Sequence, residues 1–329
     1  MERAVMPAVK AAGASRHWAQ IDEISFVAGM RMLFWLGRAL GRWPFRAVLY
    51  PVLLWYAIAK PWARAASQDY LRRIAELDGA SDGPNGVIGV LRHFASFGEC
   101  ILDKLLLWCG LFDTGAVEIH GDEPIAAQVA AGKRGGLIIC CHLGNLELCR
   151  VMSKRQPGLK LTVLLHTKHA TRFNHLLAQI NPDSQLNIMQ VTELTPATAA
   201  LLQKKIDQGE FVAIAGDRIP VAREPRVARA RFLGAPAPFP VGPYVMASLF
   251  QCPVYLLFSL RSRRGWEIHI ELFRSSIRLP RKDRPAALDA LAAAYAARLA
   301  AYCRQEPLQW FNFYDFWQLG SLNDDHAAR

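Results

Sequence analysis

The spacing of apolar residues changes near residue 115 of this chain. Residues 16–110 carry apolar positions at helical intervals with few β-branched runs, and Ser67 stands as a cap before one such pattern. Beyond residue 115, short apolar runs alternate with further helical patterns. The pattern therefore predicts a helical N-terminal region followed by an α/β region.

Apolar runs of strand length recur through the second region. The predicted strands are 136–141, 161–166, 186–191, 211–217, 254–260 and 266–272. The predicted helices are 145–154, 171–180, 195–208, 241–250 and 285–305. Nearly continuous apolar strands that alternate with helices are typical of a sheet covered on both faces. The fold class is therefore predicted to be α/β, with a sheet flanked by helices and a hydrophobic helical layer at the N-terminus.

The N-terminal region contains an apolar segment, residues 47–59, that is too short to cross a bilayer. It has thirteen residues between Arg46 and Lys60, whereas a span needs about twenty. Arginines also interrupt the preceding apolar stretch. The pattern predicts two hydrophobic helices within residues 24–60 that lie on or dip into one leaflet. A single tilted span and a buried helical hairpin are the alternatives.

Composition and charge favour a membrane surface. The chain has 329 residues, 52% of them hydrophobic, and a net charge of +11. Arginines are interleaved with tryptophans in the N-terminal third, which is typical of a membrane interface; the alternative is the solvated face of an ordinary helix. No nucleic-acid-binding motif accompanies the charge, so we expect anionic lipids or an acidic protein as partners, and no nucleic acid.

The seven cysteines predict a reducing compartment and no disulfide framework. None forms a CxxC pair, and most lie within apolar runs. The first fifteen residues contain no apolar segment of a secretory signal. We expect disordered tails at 1–15 and 321–329, a helical, membrane-associated region at 16–110, and an α/β domain at 111–320.

The stretch IICCHLGNLELC, residues 138–149, carries the first candidate chemistry. A predicted strand ends at His142, and the next helix starts near Asn145, which places Glu147 in its first turn. On a continuous helix a separation of five residues is about 500° of rotation, so the two side chains would point apart. With His142 on the connecting turn they can meet. We therefore predict that Glu147 orients His142 as a general base.

Other interpretations of this stretch stay open. His142 and Glu147 can be purely structural residues. Zinc is a weaker alternative, because Cys140, Cys141 and Cys149 lack the usual ligand spacing and adjacent strand residues point to opposite faces. A nucleophilic Cys141 is the third alternative.

Two further segments carry candidate binding residues. Gly216-Asp217-Arg218 follows a predicted strand, where Arg218 could bind a phosphate or carboxylate and Asp217 could orient it. Residues 231–247 are predicted as a shaped loop before a helix. Such a loop, which contains Gly234, Pro240 and Gly242, could expose backbone N–H groups to a phosphate or line an apolar channel. A plain salt bridge and an ordinary loop are the structural alternatives.

Taken together, these segments resemble the lysophospholipid acyltransferase superfamily, in particular the bacterial lipid A biosynthesis acyltransferases of the lauroyl/myristoyl type. The resemblance rests on HLGNLE (142–147), AGDR (215–218) and FLGAPAPFPVGPYVMA (232–247) in that order, and it covers about residues 16–318. It implies a mixed sheet like that of glycerol-3-phosphate acyltransferases, and an acyltransferase domain at 111–320.

The resemblance also implies a reaction and a location. His142 and Glu147 form the acid/base centre, with Gly144 and Asn145 in support, and neither a metal nor another cofactor is needed. An acyl chain moves from acyl carrier protein or acyl-CoA to a hydroxyl group of a lipid or glycolipid, at the cytoplasmic face of a bacterial inner membrane. Backbone N–H groups of the following helix or of the 234–242 loop stabilise the oxyanion.

Two alternatives to this activity stay open. One is an inactive lipid-binding or scaffold protein of the same fold. The other is acylation of an acceptor other than lipid A, for example in a polyene pigment pathway, since this chain carries Gly216-Asp217-Arg218 where lipid A enzymes have a different acidic motif. We expect the aromatic C-terminal segment 309–317 to serve packing.

Overall fold

A computed structural model describes residues 42–79, 86–108, 110–165, 187–190, 195–219 and 225–317. The helices are α1 (Arg42–Ala59), α2 (Pro61–Asp78), α3 (Gly86–Trp108), α4 (Glu123–Ala130), α5 (Cys149–Arg155), α6 (Pro196–Asp207), α7 (Gly242–Phe250) and α8 (Arg284–Gln305). The strands are β1 (Glu118–His120), β2 (Leu137–Cys140), β3 (Leu161–Leu165), β4 (Asn187–Gln190), β5 (Phe211–Ala215), β6 (Val227–Phe232), β7 (Ala235–Pro240), β8 (Val254–Arg261) and β9 (Trp266–Arg274). Short 3-10 turns lie at Thr114–Ala116 and Leu146–Leu148.

Seven strands form one mixed sheet in the order β1-β9-β8-β2-β5-β3-β4. The five strands from β8 to β4 are parallel, β9 is antiparallel to β8, and β1 is parallel to β9. The predicted α/β class with a mixed, helix-flanked sheet is therefore confirmed. The central strand β2 pairs on one side with β5, where Cys140 faces Ala215, and on the other with β8.

Both faces of the central strands are buried, as the apolar strands predicted. Leu137, Ile139 and Cys141 point into a core formed with α2, α6, α7, α8 and the β6–β7 hairpin. Ile138 and Cys140 point into a second core formed with α3, α4 and α5. Adjacent residues of β2 thus pack in the two cores on opposite faces of the sheet, because side chains alternate along a strand.

The six predicted strands are present, with ends shifted by a few residues. The structure adds the helix α4 and the strands β1, β6 and β7, and the strands were missed for physical reasons. β1 has three residues, too few to form a pattern. Prolines at 236, 238 and 240 argued against a strand, yet they occupy alternate positions of β7. Alternate residues of a strand direct their N–H groups to the same side, so the three prolines remove donors from one side of β7 only. The other side keeps its N–H groups and pairs with β6. The predicted helix at 171–180 lies outside the described residues.

The described N-terminal helices pack on the α/β core. α1 contains the apolar segment 47–59 and packs on α3 through Leu49 and Leu102. Tyr70, Leu71 and Ile74 of α2 belong to the same core as the sheet. Among the described helices, none is long and apolar enough to cross a membrane. The predicted upstream helix, before residue 42, lies outside the described part of the chain.

Candidate active site

His142 and Asp217 occupy equivalent positions after two neighbouring strands. His142 lies two residues beyond Cys140, the last residue of β2, and Asp217 lies two residues beyond Ala215, the last residue of β5. Cys140 and Ala215 are partners in the parallel ladder. Since neighbouring strands lie about 4.8 Å apart, equal offsets bring the two side chains together at the carboxyl edge of the sheet.

Asp217 holds His142 by two hydrogen bonds. Nδ1 of the imidazole lies 2.8 Å from Oδ1 of Asp217, and the backbone N–H of His142 donates to Oδ2 at 2.7 Å. A carboxylate can only accept, so Nδ1 carries the proton and Nε2 keeps its lone pair. Asp217 is completely buried, whereas the His142 side chain is 26% exposed. This arrangement is that of a general base oriented by a buried carboxylate.

Burial and the charges around the pair keep the imidazole neutral and the carboxylate ionised. Burial lowers the pKa of His142, and the Arg218 cation lowers it further, although Asp217 opposes both. Burial alone would raise the pKa of Asp217, but His142 and Arg218 hold that pKa below its usual value. Near neutral pH the site therefore contains a neutral base beside an anion, ready to accept a proton.

The turn that carries His142 is held in place by Gly144 and Asn145. Gly144 has φ of 61°, and a Cβ atom there would lie 2.0 Å from the carbonyl oxygen of Ser259 on β8, so only glycine fits. Asn145 caps the following 3-10 turn, where its Oδ1 accepts from the N–H of Glu147 at 3.1 Å. The predicted positions of His142 on the turn and Glu147 in the first helical turn are both observed.

The orienting carboxylate differs from the predicted one. Glu147 was expected to orient His142. In the structure, Nδ1 of His142 is hydrogen-bonded to Asp217 instead. Asp217, in turn, was expected to orient Arg218. The cause is the strand order, which brings the ends of β2 and β5 together and which the sequence pattern does not specify. A catalytic role for Glu147, which is half-buried, stays a prediction.

Arg218 contacts the C-terminal segment. One guanidinium nitrogen donates to the carbonyl oxygen of Phe311 at 3.1 Å, and the side chain is half-buried. Burial lowers the pKa of Arg218, while Asp217 opposes this effect. Arg218 therefore supplies positive charge close to the His142–Asp217 pair, and its predicted contact with a substrate phosphate stays a prediction.

The C-terminal segment 309–317 pairs with the turn that carries His142. The N–H of Gly144 donates to the carbonyl oxygen of Gln309 at 2.8 Å, and the N–H of Phe311 donates to that of His142 at 2.9 Å. The Gln309 side chain also bonds both backbone groups of Arg261 at the end of β8, at 2.7 and 2.6 Å. This segment therefore fixes the backbone of the site as well as packing, a role that sequence reasoning did not assign.

Trp310 connects this segment to Asp217. Its indole N–H donates to Oδ2 of Asp217 at 3.0 Å, and the ring is fully buried. Its carbonyl oxygen accepts from Nε2 of His93 at 3.1 Å, while Nδ1 of His93 accepts from the Ser67 hydroxyl at 2.8 Å. Burial lowers the pKa of His93 to about 4, so this histidine is a neutral structural link between α2, α3 and the site.

The segment predicted as a shaped loop is a β-hairpin followed by a helix, so the loop prediction is wrong. Leu233 and Gly234 form its two-residue turn, with φ of 47° and 83°, the conformation that favours glycine. Pro240 ends β7 and Gly242 begins α7. The Phe232 ring packs 5.1 Å from that of Trp310. The hairpin thus supports the site through Trp310, and direct substrate contacts by Gly234, Pro240 or Gly242 stay predictions.

The cysteines that the structure describes do not form a reactive site. The six that the structure describes are all buried. Burial raises the pKa of Cys141 far above that of an ordinary thiol, so the thiolate that nucleophilic attack requires is disfavoured. Cys140 and Cys141 belong to opposite cores, as predicted, so they cannot bind one zinc ion together.

Comparison with family models and with curated proteins gives no match for this chain. The fold and the site define it as an α/β protein with a His–Asp pair at the carboxyl ends of two central parallel strands. In such sheets, ligands bind at this edge of the sheet.

Proposed function

We propose that this protein is a membrane-associated O-acyltransferase. It moves an acyl chain from the thioester of acyl carrier protein or acyl-CoA to a hydroxyl group of a lipid or glycolipid. The observation that carries the proposal is His142, whose Nδ1 is bound by a buried carboxylate and whose side chain is partly exposed. The ordered motifs that resemble lysophospholipid acyltransferases supply the reaction class.

The proposed reaction uses Nε2 of His142 as the base. The acceptor hydroxyl gives its proton to Nε2 while its oxygen attacks the thioester carbonyl, and Asp217 stabilises the imidazolium that forms. The tetrahedral intermediate then collapses, the carbon–sulfur bond breaks, and the imidazolium returns the proton to the leaving thiolate. The products are an ester and a free thiol, and His142 returns to its neutral form.

The oxyanion requires a hydrogen-bond donor, and the Asn145 side-chain amide is a buried donor that has no acceptor of its own in the part of the chain that the structure describes. The N–H of Gly144 already donates to the carbonyl oxygen of Gln309. The N–H of Glu147 donates to the side-chain oxygen of Asn145, and the N–H of Leu148 donates to the carbonyl oxygen of Asn145. By contrast, Nδ2 of Asn145 is buried and has no acceptor among the described residues. A buried donor without an acceptor costs free energy, which a bound oxyanion would recover. We therefore assign the oxyanion to the Asn145 side chain rather than to the helix N-terminus.

The outer face of α1 supports membrane association. Trp43, Trp55 and Ile58 are 79%, 64% and 67% exposed, and Val87 and Ile88 at the start of α3 are exposed as well. Monomeric proteins seldom leave such large apolar side chains grouped in water. The chain also has a net charge of +11. An anionic lipid surface is the partner that fits both the exposed apolar side chains and the positive charge. The same charge favours an acidic acyl carrier protein as the donor.

Complementation of a strain that lacks the gene tests the proposal. Mass spectrometry of its lipids should reveal a species that has lost one acyl group, and the wild-type gene should restore that group. The His142→Ala gene, expressed at the same level, should fail to restore it. Full restoration by His142→Ala would contradict catalysis and would favour the alternative of a lipid-binding or scaffold protein.

A further inference from the structure

Two glutamates and two histidines form a square on one face of the sheet, at its β1 edge. Glu118 and His120 alternate along β1, while Glu267 and His269 alternate along β9. The two strands are parallel neighbours, and their register pairs Glu118 with Glu267 and His120 with His269. Because side chains two residues apart share a face, all four project to the same side. Ile119 and Ile268, between them, pack in the core on the opposite side.

The distances within this square are those of a nearly formed metal site. Ligand atoms of His120, Glu267 and His269 all lie within 4.8 Å of one another. Nε2 of His269 is 3.1 Å from Oε2 of Glu267, and Nε2 of His120 is 3.5 Å from Oε2 of Glu118. Ligand atoms on a tetrahedral zinc ion, each about 2.0–2.1 Å from the metal, are roughly 3.3 Å apart. The ligand atoms of His120, Glu267 and His269 therefore lie near the spacing that one ion requires, and Glu118 adjoins His120.

The surroundings of Glu267 and His269 resemble the outer shell of a metal site. The Ser262 hydroxyl donates to Oε1 of Glu267, which leaves Oε2 directed at His269. Outer hydrogen bonds of this kind orient carboxylate ligands in metalloproteins. The rings of His120 and His269 are stacked with centroids 4.8 Å apart, and His269 also lies against Tyr302 of α8. Two imidazoles with carboxylates are a ligand set that suits zinc and related divalent ions.

We propose that Glu118, His120, Glu267 and His269 bind a divalent transition metal ion such as Zn²⁺, which clamps β1 to β9. β1 is an edge strand of three residues with few backbone hydrogen bonds of its own. An ion held by side chains of both strands stabilises that edge, since metal binding free energy adds to folding free energy. This site is separate from the His142–Asp217 pair and takes no part in the proposed acyl transfer.

Zinc titration of the full chain, purified without a polyhistidine tag and stripped with a chelator, tests this proposal. Calorimetry should detect one tight Zn²⁺ equivalent, and Co²⁺ should give the visible absorption of a tetrahedral complex. The His120 side chain is 48% exposed, so we expect His120→Ala to keep the fold and to weaken Zn²⁺ binding by more than about 100-fold. Glu267→Gln, which keeps the shape, should do the same, and Ser262→Ala should weaken binding by about 10–100-fold.

His142→Ala is the matched control, because it removes a histidine outside the square and should leave Zn²⁺ affinity unchanged. Zn²⁺ should also raise the melting temperature of the wild-type protein but not of His120→Ala. The proposal is overturned if the protein binds no Zn²⁺, or if His120→Ala and Glu267→Gln bind it as tightly as the wild type. Neither outcome bears on the acyltransferase proposal, which rests on other residues.

Discussion

Asp217 combines complete burial with a negative charge, and three hydrogen bonds make this possible. Its oxygens accept from the backbone and imidazole of His142 and from the indole of Trp310. Leaving a buried carboxylate without such donors would cost several kcal/mol. Through these contacts a charged Asp217 orients the imidazole of His142.

Replacing Asp217 by asparagine should reduce acyl transfer strongly. The amide keeps the shape but removes the charge that stabilises the imidazolium, and it no longer fixes the Nδ1–H tautomer. We expect kcat to fall by about 10²–10⁴-fold with a smaller change in KM, measured with a purified acyl thioester donor.

Glu147→Gln is the matched variant for Asp217→Asn, since it also converts a carboxylate to an amide. We expect a smaller loss of kcat for Glu147→Gln than for Asp217→Asn. The opposite order would return the orienting role to Glu147, as the resemblance to acyltransferases implied.

The position of His142 was predictable from sequence, but its partner was not. The run LIIC before His142 and the cap at Asn145 locate the turn. The pairing with Asp217 depends on β2 and β5 being neighbours although β3 and β4 lie between them in the chain. A single sequence contains no direct signal of that order. His142 and Asp217 each lie two residues beyond their strands, which indicates that they meet. That indication can be used only once the order of the strands in the sheet is known.

At the scale of elements, the site depends on the C-terminal segment 309–317. It forms an antiparallel bridge, between Leu143 and Trp310, with the turn that carries His142. Sequence reasoning expected packing, and the aromatic cluster around Trp310 bears that out. Its hydrogen bonds to the turn could not be foreseen, because most of them involve backbone atoms and so leave no pattern of side-chain types.

Trp310→Phe tests whether this segment positions the base. Phenylalanine retains most of the packing but removes the N–H that donates to Asp217. This hydrogen bond to a charged group contributes about 1.5–3 kcal/mol to holding Asp217 in place. Its loss should misalign the base, and we expect that effect to dominate and to lower kcat by roughly tenfold or more. Without that donor, Asp217 stabilises the protonated imidazole more strongly, which raises the pKa of His142. The acid limb of the kcat/KM profile should therefore move to higher pH.

Trp317→Phe is the control for Trp310→Phe. Its indole N–H donates to the carbonyl oxygen of Phe232 at 3.2 Å, away from Asp217. We expect Trp317→Phe to leave the acid limb in place even if it lowers stability. A shift of equal size in both variants would mean that the effect is structural only.

At the scale of the whole molecule, the exposed face of α1 and the positive net charge act together. The described helix is apolar on its inner side, where Leu49 and Ala57 are buried, and also on its outer side. A helix that is apolar all round needs a second apolar partner. Under the proposed function, that partner is a bilayer surface.

Replacing both Trp43 and Trp55 by alanine should weaken binding to phospholipid vesicles that contain anionic lipid. Burying large apolar side chains contributes about 1.5–3 kcal/mol each, so we expect a loss of affinity of at least tenfold in a sedimentation assay. Leu201→Ala on α6, which also removes an exposed apolar side chain, is the control and should bind like the wild type. Unchanged binding of the double variant would contradict the assignment of this face.

The central claim is that His142 acts as the general base of acyl transfer. The most direct test is the rate at which purified protein transfers an acyl chain from acyl carrier protein to a lipid hydroxyl, for the wild type, His142→Ala and Cys141→Ala. Loss of the base should reduce the rate by about 10²–10⁴-fold, whereas removing the adjacent buried thiol should leave the activity close to that of the wild type. Full activity of His142→Ala, or loss of activity in a folded Cys141→Ala protein, would contradict the account.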